Sequence, residues 1–188
     1  RPVQGSSEVH YRCLSEVAKL PMREATSLPV AKCIYERLPF PARNGGLERA
    51  FIEWAQADAG VEAFCKISET RHDFVRLRYV KEDGLPAFYS PDFLVRTVDA
   101  IFLVETKAQE QVNNPNVQRK LKAATAWCER INGLPDADGQ IRRRWHYVLL
   151  GERIFAEWRN KGARLPELLD FARVRPLASV ISQGRLGF

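Results

Sequence analysis

Three charged residues stand where two neighbouring segments of the chain could meet at one end of a sheet. Asp92 follows Pro91, and thirteen positions later Glu105 is separated from Lys107 by a single threonine. Because side chains two positions apart on a strand point to the same face, Glu105 and Lys107 share one face. Two adjacent carboxylates repel each other, and a bound cation is the usual remedy. The pattern therefore predicts a metal site with a lysine beside it.

The chemistry that suits such a site is phosphodiester hydrolysis. Two carboxylate ligands with open positions fit Mg²⁺, which keeps several waters and accepts phosphate oxygens. A lysine beside the ion can orient an attacking water and balance the charge that develops on the phosphate. A Glu–Lys ladder on a solvated strand is the alternative reading, and the apolar run at 101–104 argues against it. Carboxylate repulsion also predicts that Asp92→Ala leaves the metal-free domain no less stable.

The elements around these residues form an α/β pattern. Strand-like alternation and apolar runs mark five segments: 61–67, 75–79, 88–96, 101–107 and 145–150. Helical periodicity marks four others: 47–58, 116–131, 154–158 and 165–171. Asp92 and Glu105 are expected on the two strands of one hairpin. This order predicts a central mixed β-sheet flanked by helices.

The first 46 residues are expected to be a helical lead-in and linker, and 47–188 the functional domain. A helix carrying Tyr11 and Leu14 on one face is predicted to end at Pro21. Three further prolines follow before residue 42, together with an Asn-Gly-Gly turn, and this composition is typical of a linker.

Composition is that of a globular protein. The chain has 188 residues, of which 45% are hydrophobic and 28% charged, and its four cysteines lack the close spacing of a zinc site. No apolar run is long enough to cross a bilayer and no signal peptide opens the chain, so a membrane protein is excluded and a cytoplasmic location is expected. The start at Arg1 and the single methionine, Met22, indicate a piece of a longer protein.

Positive charge is concentrated in the second part of the chain. Residues 1–110 contain 15 Lys and Arg against 16 Asp and Glu, whereas residues 111–188 contain 14 against 7. This asymmetry indicates a polyanionic partner, although a solvated helix surface gives the same counts. The candidates for contacting DNA phosphates are Arg142, Arg143, Arg144, Lys120 and Lys122.

Two segments resemble a known nuclease superfamily. Tyr89-Ser90-Pro91-Asp92-Phe93 and Leu103-Val104-Glu105-Thr106-Lys107 are similar to the signature strands of PD-(D/E)xK nucleases. The residues in and around these segments are more similar still to those of the C-terminal endonuclease domain of the restriction subunit of type III restriction enzymes. There an acidic helix residue, here Glu48, precedes the strands, and a helix with Lys, Ala-Ala and Trp follows them. The resemblance covers about residues 47–150, and it departs from the family at Ala108, where glycine is common.

The resemblance implies a restriction-endonuclease-like fold and a metal-dependent endonuclease that cuts double-stranded DNA. Asp92, Glu105 and the carbonyl of Thr106 would hold Mg²⁺, for which Mn²⁺ can substitute, and Lys107 would position the water. Glu48 would be an ancillary metal ligand, or else a helix-start carboxylate favoured by the helix dipole.

The resemblance also implies partners for this domain. In the family it follows a helicase-like ATPase in the same chain and works with a modification methyltransferase subunit. No Gly-Lys-Ser/Thr phosphate-binding loop is present in this sequence. The alternative function is a non-cleaving DNA-binding or docking module of a larger helicase-type protein, which would not need two adjacent carboxylates facing a polyanion.

Overall fold

A mixed β-sheet with helices packed around it forms the fold, which the computed structural model describes for residues 11–134 and 143–182. The strands are β1 (Ser27–Pro29), β2 (Arg37–Pro39), β3 (Ala63–Lys66), β4 (Leu77–Val80), β5 (Pro86–Tyr89), β6 (Phe93–Arg96), β7 (Ala100–Lys107) and β8 (Arg144–Gly151). The helices are α1 (Gly46–Ala57), α2 (Pro115–Asn132), α3 (Glu152–Asn160) and α4 (Leu165–Ser182). The predicted fold class is confirmed, and the architecture is compatible with a restriction-endonuclease-like core. Within the described residues, no helix has the length and apolar character needed to cross a membrane.

The central sheet has the strand order β3-β6-β7-β8. β6 runs antiparallel to both β3 and β7, whereas β8 is parallel to β7. A parallel pair needs a long crossover connection, and α2 lies in that connection. β7 is covered on both faces along nearly its whole length, as its apolar run predicts. The register pairs Phe93 with Val104, so the start of β6 lies beside the last residues of β7.

Helix α1 is held against the start of β6. Phe51 of α1 stacks on Phe93 with ring centroids 4.5 Å apart. The residue before the helix, Gly45, lies so close to Pro41 that a Cβ atom would fall 2.0 Å from the Pro41 carbonyl oxygen. Only glycine fits this approach, and it fixes where the first turn of α1, with Glu48, begins.

Helix α2 follows its sequence pattern. The Asn114 side chain caps it by accepting a hydrogen bond from the backbone nitrogen of Asn116, and Pro115 occupies the first turn. Its buried residues are the ones that the periodicity predicts: Val117, Leu121, Ala124 and Cys128.

The segment before α1 differs from its predicted structure. Before Pro21, the described residues contain one 3-10 turn, Leu14–Glu16, in place of the α-helix. Beyond it, β1 and β2 form a hairpin whose Leu38 is fully buried, and the Tyr35 hydroxyl donates to the Val17 carbonyl at 2.7 Å. The apolar residues of this segment follow neither a helical nor a strand periodicity. The sequence pattern therefore does not indicate that the segment packs on the core. The boundary at residue 46 stays a prediction.

A second hairpin, β4–β5, leads into the central sheet. The strand predicted over 88–96 is divided at Ser90-Pro91, because proline cannot donate a ladder hydrogen bond. One face of this hairpin packs against α2, where the Tyr89 hydroxyl donates to the Lys120 carbonyl at 3.0 Å. The hairpin is therefore fixed to α2 on one side and to the start of β6 on the other.

Candidate active site

Asp92 and Glu105 lie next to each other where β6 begins and β7 ends. Asp92 immediately precedes Phe93 and Glu105 immediately follows Val104, and those two residues are paired across the ladder. Oδ2 of Asp92 accepts hydrogen bonds of 2.8 Å from both the backbone nitrogen and the hydroxyl of Thr106. The hairpin therefore brings the two carboxylates to one end of the sheet, as the spacing predicts.

Glu105 is a buried carboxylate with a free oxygen. Its side chain is 5% exposed, and Oε1 lies 2.7 Å from Nζ of Lys107. Oε2 is buried and has no hydrogen-bond partner among the described residues. Burial, followed by the charge of Asp92, raises the pKa of Glu105 above its usual value, and the nearby lysine ammonium only partly offsets this. Such a carboxylate has an open position for a cation.

Lys107 is held in its charged form. Burial alone would lower the pKa of its amine, but the negative charge of Glu105, followed by those of Asp92 and Glu48, raises the pKa above its ordinary value. The ammonium therefore keeps its proton at neutral pH. This lysine can donate hydrogen bonds to a water or a phosphate oxygen.

The residue after Lys107 fits its position without strain. Ala108 has φ −55° and ψ 145°, an extended conformation that any L-residue adopts. Alanine at this position therefore needs no distortion of the backbone.

Lys66 joins the site, although the sequence analysis did not identify it. Its Nζ lies 2.5 Å from Oε2 of Glu48 and 3.3 Å from Oδ1 of Asp92. The side chain is 14% exposed, and the ammonium stands 4.9 Å from the centroid of the Phe93 ring. Lys66 ends β3 on the polar side of an alternating pattern, where a lysine is ordinarily solvated. The pairing of Lys66 with Phe93 across the sheet brings the lysine beside the carboxylates, and the sequence pattern alone does not indicate this pairing.

The donor set fits a cation that keeps most of its waters. The part of the chain that the structure describes has no cluster of three or more His, Cys, Asp or Glu side chains arranged to hold a metal. Asp92, Glu105 and the Thr106 carbonyl are three oxygen donors of the kind Mg²⁺ prefers, and the unpartnered Oε2 of Glu105 supplies a free position. The Glu48 carboxylate is occupied by Lys66, so that ammonium must move before Glu48 can bind a metal.

Two of the predicted DNA-contact residues lie on α2. Nζ of Lys120 is 5.0 Å from the centroid of the Tyr89 ring, and its charge is one of those that lower the pKa of Glu105. Lys122 is exposed. Lys120 therefore lies within electrostatic reach of the site.

The arginine cluster lies at the far end of the sheet. Arg144 pairs with Ala100, and five residues at ~3.3 Å each put Glu105 about 17 Å away along the strand. Arg143 donates to the Thr97 carbonyl at 2.9 Å and contacts Glu62 at 3.0 Å. Arg142 lies outside the described residues. Contact of these arginines with DNA stays a prediction.

Part of the chain is similar to a known endonuclease family. Residues 65–133 match the family model of the TnsA-like endonuclease N-terminal domain, a family of the PD-(D/E)xK type. The matched segment includes Lys66, Asp92, Glu105 and Lys107 and ends at the C-terminus of α2. Comparisons with curated proteins and with solved structures give no significant match. The similarity therefore supports a PD-(D/E)xK-type nuclease and does not reach Glu48 or the arginine cluster.

Proposed function

We propose that the chain is a divalent-cation-dependent endonuclease domain that hydrolyses phosphodiester bonds in double-stranded DNA. The observation that carries the proposal is the state of Glu105. Its buried carboxylate lies beside Asp92, is paired with Lys107 and has one oxygen without a hydrogen-bond partner in the described parts of the chain. Burying one carboxylate beside a second one is costly, and a cation between them offsets that cost.

Each residue has a distinct task in this proposal. Bound Mg²⁺ or Mn²⁺ would polarise the phosphate and lower the pKa of a water at the site. Asp92 is oriented by the two hydrogen bonds from Thr106 to its Oδ2, so a metal would bind its Oδ1, the oxygen that Lys66 contacts at 3.3 Å. Lys107 keeps its proton and donates to the attacking water or to a phosphate oxygen, and thereby balances charge in the transition state.

The substrate and the context are proposed from charge and from the resemblance. The excess of basic residues after position 110 and the place of Lys120 near the site support a DNA duplex that passes the end of the sheet with Lys120 close to the cleaved phosphate. The resemblance of residues 47–150 to the type III restriction subunit supports a helicase/ATPase domain and a methyltransferase subunit as partners. Arg143 and Arg144 would then contact the duplex backbone at a distance from the cut.

A second candidate is a DNA-binding module that does not cleave. The ammonium of Lys66 already bridges Glu48 and Asp92, so part of the negative charge is neutralised without a metal. Lys66 does not reach Oε2 of Glu105, which stays open for a cation. This difference makes direct metal binding the measurement that separates the two functions.

The test combines metal binding with cleavage. We expect the wild-type chain to bind Mn²⁺, detected by electron paramagnetic resonance, and to nick plasmid DNA when Mn²⁺ or Mg²⁺ is present. Glu105→Gln keeps the side-chain shape and should lose both properties while it still binds DNA. The exposed Lys19→Gln variant serves as the control. A chain that binds duplex DNA but takes up no Mn²⁺ would establish the non-cleaving module.

A further inference from the structure

The β4–β5 hairpin presents a face that the described residues leave uncovered. The register pairs Arg78 with Phe88 and Val80 with Pro86, so these side chains point to the side opposite the one packed on α2. Phe88 is 63% exposed and Val80 is 49% exposed. We call the side chains of Arg76, Arg78, Val80 and Phe88 the outer face of the hairpin. An exposed aromatic between basic side chains indicates a binding surface.

Among the described residues, the positive charge of this face has no ion-pair partner. Arg76 and Arg78 are exposed, and neither guanidinium forms an ion pair or hydrogen bond with another described residue. The salt bridges of the hairpin are confined to its turn, where Lys81 contacts Asp83 at 3.0 Å. The two guanidinium groups are therefore free to pair with anions from outside the chain.

A small cavity lies beside this face and close along the chain to Asp92. It has a volume of about 240 Å³ and is lined by Glu69, Arg76, Phe88, Tyr89 and Ser90. Ser90 is two residues before Asp92, so their Cα atoms are at most about 7 Å apart. The loop that carries Glu69 is joined to the same point, because the backbone nitrogen of Ile67 donates to the Asp92 carbonyl at 2.8 Å. Ser90, which lines the cavity, therefore lies near Asp92, and the outer face begins two residues earlier in the chain, at Phe88.

We propose that the outer face of the β4–β5 hairpin binds duplex DNA beside the phosphate to be cleaved, an inference that rests on the proposed endonuclease function. Arg76 and Arg78 pair with backbone phosphates on one side of the scissile bond. Phe88 packs against a deoxyribose or a base edge in the groove. Complementarity between two unpaired guanidinium groups and a polyanion favours DNA over a protein partner or a second copy of the chain.

The test measures the affinity for a short fluorescein-labelled duplex by anisotropy over a range of salt concentrations, in EDTA so that no metal-dependent cleavage occurs. We expect Phe88→Ala to weaken binding about fivefold or more, as for a well-packed aromatic contact. The double variant Arg76→Gln, Arg78→Gln should flatten the slope of log affinity against log salt by about 1.8. Ile34→Ala, at an exposed position between β1 and β2, and Arg23→Gln are matched controls and should bind like wild type.

The other possible results separate a failure of the hairpin proposal from a failure of the proposed endonuclease function. If the hairpin variants bind duplex as tightly as the controls while Mn²⁺ uptake and nicking persist, the hairpin proposal fails and the endonuclease stands. If wild type itself does not bind duplex, the proposed function fails first. If Phe88→Ala weakens only single-stranded DNA binding, or changes the sedimentation coefficient and not the DNA affinity, the outer face binds another partner and the proposal is overturned. Unchanged thermal unfolding of the variants confirms that the fold is intact.

Discussion

The ammonium of Lys66 lies 3.3 Å from Oδ1 of Asp92, while Thr106 occupies the other oxygen of that carboxylate. The same ammonium contacts Glu48, so one buried cation joins α1 to the start of β6. A metal ion bound by Asp92 would use the oxygen that Lys66 now contacts. Lys66 and the metal are therefore expected to compete for the same negative charge.

Lys66→Met should raise the affinity for Mn²⁺ and lower the stability of the metal-free chain. The substitution keeps the apolar length of the side chain but removes the cation that compensates Glu48 and Asp92. We expect the free energy of unfolding in EDTA to fall by about 1–3 kcal/mol, because two carboxylates lose their partner. Calorimetric titration of Mn²⁺ and urea unfolding measure the two effects. Lys19→Met is the surface control, and a reduced Mn²⁺ affinity in Lys66→Met would show that Lys66 orients the ligands and does not compete.

Glu105→Gln should stabilise the metal-free chain at neutral pH. Because the pKa of Glu105 is raised in the folded state, the folded chain binds this proton more tightly than the unfolded chain does. The stabilisation that comes from this bound proton is fully present below the ordinary carboxyl pKa. It is lost as the pH rises through the raised pKa of Glu105 in the folded chain. Glutamine removes that loss, so stability measured in EDTA should decline less between mildly acidic and neutral pH than in wild type. An identical pH profile for both proteins would mean that the carboxylate is not destabilised by burial.

Lys107→Ala should abolish cleavage without abolishing metal binding. The expected loss is at least about 100-fold in nicking rate, because the ammonium that orients the water is gone. Mn²⁺ affinity should persist, since Asp92, Glu105 and Thr106 are intact. The free energy of unfolding of the metal-free chain should also fall by about 1–2 kcal/mol, because the buried Glu105 carboxylate then has no ion-pair partner at position 107. Cleavage at the wild-type rate would exclude Lys107 from the reaction.

Asp92→Ala should destabilise the chain, contrary to the expectation from carboxylate repulsion alone. The substitution leaves the Thr106 backbone nitrogen and hydroxyl without their acceptor, at a cost of about 1–3 kcal/mol that exceeds the repulsion relieved at Glu105. Asp92→Asn can still accept from Thr106 and should lose less stability, yet both variants should bind Mn²⁺ poorly. Urea unfolding of the two variants in EDTA makes the comparison. Equal stability of Asp92→Ala and wild type would show that repulsion dominates.

The parts of the site that follow from local pattern were predictable. The alternation over β6 and β7, broken by Pro91, places Asp92 beside Glu105, and the same-face rule places Lys107 with Glu105. The helical period likewise identifies the buried residues of α2. These features depend on spacing within one hairpin or one helix, which the sequence displays directly.

The contributions of Lys66 and of the N-terminal segment depend on non-local packing and were not predictable. Lys66 becomes largely shielded from solvent only because β3 pairs with β6 and α1 lies over their ends. Leu38 and Tyr35 belong to a proline-rich stretch without periodicity, and their burial is decided by the core that they cover. The position of Arg143 and Arg144 at the far end of the sheet also follows from the parallel register of β8, which no local pattern displays.

The packing of the β1–β2 hairpin on α1 limits where a shortened fragment of this protein can begin. Gln56 of α1 accepts hydrogen bonds from the backbone nitrogens of Ala31 and Lys32, at 2.8 and 3.2 Å. A fragment that began at residue 47 would lose these bonds and the approach of Gly45 to Pro41, and the helix that carries Glu48 would be free to shift. Any fusion or minimal expression unit should therefore retain the β1–β2 hairpin, because its contacts with α1 help to fix the helix that carries Glu48 at the candidate site.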